Sequence, residues 1–299
     1  MKIAAACYPL SRLADWDAYE TKITRWIEEA AGRSADLLVF PEYGAMELAS
    51  LSGATTLADQ MQAVSAALPR AWDIQSRLAM RHGLHILAAS GPVFAGARAL
   101  NRAMFLGPEG GRAPVDKRVM TPWERMPMDM EPGRAPTLFD TALGRVGVQI
   151  CYDCEFPLPT RAMVEAGMDV LLVPSATETL AGYHRVRIGA QARALEGQVV
   201  TVQSPTQGIA DWCEVVDVNR GAAGVFCPPD LGLPDDGVLA LGQEGVPGWT
   251  YAEVDLAALA HVRASGNVRT RRDWEEQAFR QEGTSAKGSA SPISITRLR

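Results

Sequence analysis

Short apolar runs alternate with amphipathic stretches along most of the chain. "KIAAACY" (2–8) reads as a strand. From 15 to 31 the residues Trp16, Tyr19, Ile23, Trp26, Ile27 and Ala30 recur at spacings of three and four. That spacing predicts a helix with one apolar face and Asp15 as its N-cap. "DLLVFPE" (36–42) reads as a buried strand closed by Pro41, 57–82 as a helix interrupted at Pro69, and "LHILAAS" (84–90) as another strand. "NRAMFLGPEGGRAPVDK" (101–117) predicts a hairpin, with the turn-forming residues at 107–111.

The second half repeats the rhythm. Strand 145–151 precedes a helix at 159–167 with Pro159 in its first turn. "DVLLVPS" (169–175) is a strand, 181–198 a helix, and "VVTVQ", "AAGVFC" and "TYAEVD" are further strands. These near-continuous apolar runs predict an α/β chain whose sheet faces are both covered. We expect one domain over 1–280 and a polar tail over 281–299, "QEGTSAKGSASPISITRLR".

Composition narrows the function classes. The chain has 299 residues, 47% of them hydrophobic and 21% charged, which suits a globular protein with a well-buried core. A net charge of -6 gives no pull towards nucleic acid or anionic lipid. No apolar run approaches the roughly 20 residues of a membrane span. Pro9 and the charges after it spoil a signal peptide, and five cysteines, an odd number, suit reduced thiols, so a cytoplasmic protein is expected. Gly-rich phosphate loops are absent from the sequence.

Candidate chemistry sits at strand ends. Glu42 follows "LLVFP", Lys117 ends the return strand of the hairpin, and Cys151 ends "RVGVQIC". A strand end is where a rigid scaffold delivers side chains to a crevice. An acid, an amine and a thiol are the ingredients of acyl transfer: a base, a cation for the oxyanion and a nucleophile. Singly, each also suits an ordinary role, since free cysteines are commonly buried and acids and lysines commonly solvated. Cys151 and Cys154 stand in a C-x-x-C spacing, which a dithiol redox site or half of a metal site would share. A metal would need two more ligands, and Cys213 and Cys227 are not closely spaced; His85 begins an apolar strand, as a core histidine does.

"FPEYG" (40–44), "DKRVMTPWER" (116–125) and "GRVGVQICYDCEFP" (144–157) with "MDVLLVPSA" (168–176) resemble the three signature blocks of the nitrilase, or carbon–nitrogen hydrolase, superfamily. The similarity spreads over roughly 1–275, and the blocks fall in the family's order and spacing. The resemblance implies a four-layer α-β-β-α sandwich, no cofactor, and a homodimer or larger homo-oligomer; the ligand spacing above already leaves no metal expected. It implies a Glu–Lys–Cys triad of Glu42, Lys117 and Cys151, with Cys154 on a variable position of the motif. A second active-site glutamate is expected at Glu124, with Glu131 as the alternative. Gly197, in "ARALEGQ", stands where the family commonly has Asn, which bears on packing at that helix end.

In this reading Glu42 accepts the thiol proton, Lys117 favours the thiolate, and Lys117 with the Tyr152 backbone N–H holds the tetrahedral oxyanion. Nitrile-hydrolysing members resemble one another in having Trp after the nucleophile; here it is Tyr152, so a small amide or N-carbamoyl compound is the expected substrate. Tyr43, Trp123 and Tyr183 are candidate pocket walls, although aromatics beside a sheet are commonly core. Three alternatives stand beside this: a nitrilase, a Cys–His hydrolase with His184 as base, and a non-catalytic binding protein on the same fold. Helix 181–198 carries Val186, Ile188, Ala190, Ala192, Ala194 and Leu195 on more than one side, so it and helix 159–167 are the expected dimer contact.

Overall fold

The computed structural model describes residues 1–277, and the expected polar tail lies outside them. Among the described residues there are fourteen strands: β1 (Lys2–Pro9), β2 (Leu37–Val39), β3 (His85–Phe94), β4 (Ala99–Leu106), β5 (Arg112–Asp116), β6 (Met130–Glu131), β7 (Leu138–Thr141), β8 (Gly144–Val148), β9 (Val170–Ser175), β10 (Val200–Ile209), β11 (Val218–Asn219), β12 (Gly224–Phe226), β13 (Val238–Leu241) and β14 (Gly248–Glu253). Six α-helices accompany them: α1 (Trp16–Gly32), α2 (Leu57–His82), α3 (Pro122–Arg125), α4 (Pro157–Glu165), α5 (Leu180–Gly197) and α6 (Leu256–Ser265).

The principal strand order is β5-β4-β3-β2-β1-β10-β9-β8-β7. β1 and β10 pair in parallel only at Tyr8↔Thr206 and Pro9↔Gln207, so the sheet folds over at that junction into two facing leaves. Ser204 lies in the fold, its Oγ 2.7 Å from Ala6 O and 2.8 Å from Val39 O. One apolar cluster fills the space between the leaves, with Ile3, Leu37, Leu87, Phe105 and Val115 meeting Val146, Val148 and Leu172. Phe105 of β4 stacks on Phe139 of β7 with centroids 4.6 Å apart. Alternate residues of the first leaf, Ala4, Leu38 and Ile86, face a second cluster built with α1 and α2. On the far leaf, Val186, Ala190 and Ala194 of α5 join the inner cluster, and Thr201 Oγ1 donates to Ala190 O at 3.0 Å. Helices on both outer faces of two stacked leaves make the four-layer order α-β-β-α.

Local chemistry sets the helix ends. Asp15 accepts from Ala18 N at 2.8 Å, and Tyr19, Ile23, Trp26, Ile27 and Ala30 form the buried stripe of α1. The interruption expected at Pro69 does not occur: α2 runs through it. Pro69 is exposed, so water can satisfy the carbonyl its missing N–H leaves behind. α4 starts at Pro157, two residues before the expected 159, because Pro157 already supplies the pre-set backbone of a first helical position. Gly197 is a close-approach residue: a Cβ there would lie 2.8 Å from Val164 Cγ2 of α4.

Candidate active site

Three turns at the carboxyl ends of β2, β5 and β8 deliver the polar side chains. After β2, Phe40 N donates to Leu87 O at 3.0 Å and Ser90 N to Pro41 O at 3.1 Å, which carries the chain out beside β3. Tyr43 then takes a left-handed backbone with φ 52°, and its N–H donates to Ser90 Oγ at 3.0 Å. A Cβ at Gly44 would sit 2.9 Å from Ala89 Cβ, so this turn has no room for a larger residue. Glu42 is thus presented inward at the end of the sheet.

Lys117 follows β5, its N–H donating to Asn101 O at 2.9 Å and its carbonyl accepting from Gly133 N at 2.7 Å. After β8 the chain makes a short 3-10 turn, Cys151–Glu155, entered through Cys151 at φ 51°. A non-glycine residue in that region is uncommon and marks a sharply turned, locally strained position. Tyr152 N–H belongs to the first turn of this segment, where backbone donors lack intrahelical partners. α3 begins with Thr121, whose Oγ1 accepts from Glu124 N at 3.2 Å while Glu124 Oε2 accepts from Thr121 N at 2.9 Å. This reciprocal cap fixes the Glu124 side chain against the helix start.

The structure brings Glu42, Lys117, Glu124 and Cys151 together. Lys117 Nζ lies 2.7 Å from Glu42 Oε1 and 2.7 Å from Glu124 Oε2. Glu42, Lys117 and Glu124 are at most 2% exposed and Cys151 is 6% exposed, so their charges act on one another with little screening. Glu42 Oε2 accepts from Ala176 N at 2.9 Å. The Cys151 thiol lies 3.8 Å from Ala176 O, close enough to the Glu42 carboxylate for that charge to bear on it. Two residues escaped the sequence reading as partners. Asn101 Nδ2 donates to Glu42 Oε1 at 2.9 Å and to Glu124 Oε1 at 3.2 Å, and Tyr43 OH donates to Glu124 Oε1 at 2.7 Å. Asn101 is fully buried in a strand that also carries Arg102, so its burial, not its sequence, marks it as a partner.

One ammonium shared by two carboxylates sets the electrostatics. Burial raises the Glu42 carboxyl above its ordinary range; Lys117 pulls it down but the Glu124 charge adds to the rise. At Glu124 burial also pushes upward, yet the Lys117 ammonium and hydrogen bonds from Lys117, Thr121 and Tyr43 outweigh it and hold the carboxyl low. Burial disfavours charge on Lys117, but the two carboxylates more than offset that and keep it an ammonium. Burial and the neighbouring Glu42 charge push the Cys151 thiol well up, against Lys117. The thiol is therefore neutral at rest: Lys117 favours the thiolate, as expected, but burial and the Glu42 charge outweigh it.

The remaining candidates fall elsewhere. Glu131 belongs to β6, and the lysine's second carboxylate is Glu124. Trp123 is 44% exposed on α3. Tyr183 of α5 is buried beside Gly221. His184 is exposed on the same helix, and the thiol's hydrogen-bond acceptor is Ala176 O. Cys154 Sγ lies 3.6 Å from Val186 O, and burial pushes its thiol far up. Among the described residues no group of three His, Cys, Asp or Glu side chains is placed to hold a metal ion, and no helix is long and apolar enough to cross a membrane.

With this geometry in view, comparison with known proteins is informative. A family model described as "Carbon-nitrogen hydrolase" matches residues 2–211. The probable hydrolase YhcX of Bacillus subtilis is 28% identical over 279 residues, covering 93% of this chain and 54% of YhcX, so this chain spans about half the length of that relative. Omega-amidase NIT2 of Danio rerio is 25% identical over 250 residues, with 79% of this chain and 82% of that protein covered. Among solved structures, Nit3 of Saccharomyces cerevisiae superimposes with a TM-score of 0.69 at 20% identity, covering 91% of this chain and 96% of that one. That likeness extends to the fold.

Proposed function

Because the chain belongs to the carbon–nitrogen hydrolase family, we propose that it hydrolyses a small amide or N-carbamoyl compound through a thioester on Cys151. The observation that carries this reading is the buried set in which Lys117 Nζ lies 2.7 Å from both Glu42 and Glu124 while Ala176 joins Glu42 to the thiol, its N–H donating to Glu42 Oε2 at 2.9 Å and its O lying 3.8 Å from Cys151 Sγ. A binding protein has no need of a thiol joined to a base and a cation. The likeness to omega-amidase NIT2, together with Tyr152 rather than Trp after the nucleophile, favours an amide over a nitrile.

The chemistry follows from how the two carboxylates differ. Glu42 is the one pushed up, which makes it the better proton acceptor; Glu124 is held ionised and keeps Lys117 charged and oriented. As the thiol sulfur bonds to the substrate carbonyl carbon, its proton passes to Glu42, so no free thiolate need accumulate. The carbonyl oxygen becomes an oxyanion facing Lys117 and Tyr152 N–H, and one such donor supplies about 3–4 kcal/mol of transition-state stabilisation. Glu42 returns its proton to the departing nitrogen, the C–N bond breaks, and a thioester remains. Water then gives its proton to Glu42 and attacks the thioester carbon, releasing the acid and the thiol.

Mass spectrometry of the intact protein after rapid mixing with a panel of small amides tests this. A mass gain equal to the acyl group should map to Cys151 and vanish in Cys151→Ala. Amides should turn over at least about tenfold faster than matching nitriles, about 1.4 kcal/mol in barrier. Hydrolysis by Cys151→Ala at the parent rate would falsify the triad, and a faster nitrile would refute the substrate class.

A further inference from the structure

Asp153 lies two residues beyond the nucleophile, is buried, and touches none of the groups that would meet substrate. Its carboxylate instead ties the nucleophile turn to the lysine strand. Oδ1 accepts from Val119 N at 2.7 Å and Arg118 N at 3.1 Å; Oδ2 also lies 3.1 Å from Arg118 N and accepts from Ile150 N at 3.3 Å. One side chain thus gathers the two residues directly after Lys117 and the residue directly before Cys151. No backbone ladder pairs these segments, since β5 ends at Asp116 and β8 at Val148, on different leaves. Behind it, Gln149 Nε2 donates to Asp153 O at 3.2 Å and Thr160 of α4 hydrogen-bonds to Gln149 Oε1, so the clamp is itself braced.

We propose that Asp153 is a positioning residue that fixes the distance between the Lys117 ammonium and the Cys151 thiol. This rests on the Glu42–Lys117–Cys151 reading above. The Lys117 side chain is placed by the two glutamates, of which Glu42 reaches the far leaf through Ala176 N at 2.9 Å, while its backbone is held by Asn101 and Gly133 of its own leaf and, across the leaves, by Asp153 through the next two residues. Only a link across the leaves can register it against a nucleophile carried by the other, and displacements of about 1 Å at a reacting centre can cost about a hundredfold in rate. The buried carboxylate suits the role because its charge strengthens each N–H···O bond and it can serve several donors at once.

The test uses Asp153→Asn in the full chain, which keeps the side-chain shape but turns one acceptor into a donor facing backbone N–H groups. We expect kcat to fall at least about tenfold with KM within about twofold, the signature of an interaction that matters in the transition state. The rate of Cys151 alkylation by iodoacetamide should need a higher pH to reach its half-maximum, because the ammonium no longer sits at its set distance. Combined with Lys117→Ala, Asp153→Asn should add no further change to the alkylation profile, as expected if it acts through the lysine. Parent values of kcat and of the alkylation profile, a loss of stability alone, or additive effects in the double variant would each overturn the proposal. If Asp153→Asn does not fold, Asp153→Ser, smaller and still an acceptor, carries the same expectations; loss of the fold in both overturns it. Failure of the underlying triad is read separately, from hydrolysis by Cys151→Ala.

Discussion

Replacing Lys117 by Met removes the ammonium while keeping most of the stem, and the structure sets the size of the effect. Glu42 and Glu124 would then face each other, both at most 2% exposed, with the Asn101 amide at 2.9 and 3.2 Å as the donor between them. Removing one partner from a buried ion pair costs about 3–5 kcal/mol, since the other charge is left uncompensated. Here two charges are left, so the upper half of that range is expected near pH 7.5. The chain can escape by binding a proton. Each carboxyl is then raised above its unfolded value, so the cost is present above the raised value and disappears as pH falls towards the ordinary carboxyl range.

Urea unfolding followed by tryptophan fluorescence, at pH 7.5 and pH 5, measures this directly. Lys117→Met should be several kcal/mol less stable than the parent at pH 7.5 and much closer to it at pH 5. Adding Glu124→Gln should restore part of the loss at pH 7.5, because one buried charge is gone, without restoring hydrolysis. Hydrolysis itself should fall at least about a hundredfold, the scale of losing one oxyanion donor. Equal stability of Lys117→Met and parent at pH 7.5, or an equal deficit at both pH values, would show that the three charges do not hold one another as described.

Two further outcomes are expected. Cys154→Ala should retain at least about a tenth of the parent hydrolysis, because its thiol is fully buried against Val186 O and is not part of the Glu42 network; loss equal to that of Cys151→Ala in a folded protein would favour a dithiol mechanism. α5 turns Val186, Ala190 and Ala194 to the core yet leaves Ile188 65% and Leu195 43% exposed, and α4 leaves Leu158 76% exposed. We propose that this face pairs with a second copy, so light scattering should show a dimer or larger, and Ile188→Glu should shift it towards monomer; an active parent monomer at micromolar concentration would refute this.

Most secondary structure was legible because it follows from local rules. The three-and-four spacing of Tyr19, Ile23, Trp26 and Ile27 makes α1, and the apolar runs at 37–39 and 170–175 make buried strands whatever they pair with. Glu42, Lys117 and Cys151 stood out for the same reason, as polar residues at the ends of such runs. Pro69 misled because a proline's cost depends on whether the freed carbonyl is hydrated, which is a matter of exposure. Asn101 was hidden by alternation: its place in "LNRAMFL" marks which face it takes but not what waits there.

Only the tertiary structure could decide which of two glutamates meets the lysine. Glu124 and Glu131 are both near Lys117 in sequence, and it is the Thr121 cap and the α3 turn that aim Glu124 inward. The resting state of the nucleophile is likewise tertiary. The sequence determined that a thiol, an amine and an acid would each follow an apolar run, but not that β2 and β8 would end at Val39 and Val148, before Glu42 and Cys151, nor that one ammonium would be divided between two buried carboxylates. The contact spanning 75 residues between Glu42 and Lys117 forms only when the strands of the first leaf assemble, and the one spanning 35 between Arg118 and Asp153 only when the two leaves fold together. Local propensity acts over a few residues, whereas charge, burial and hydrogen-bond satisfaction depend on what the whole chain packs around them.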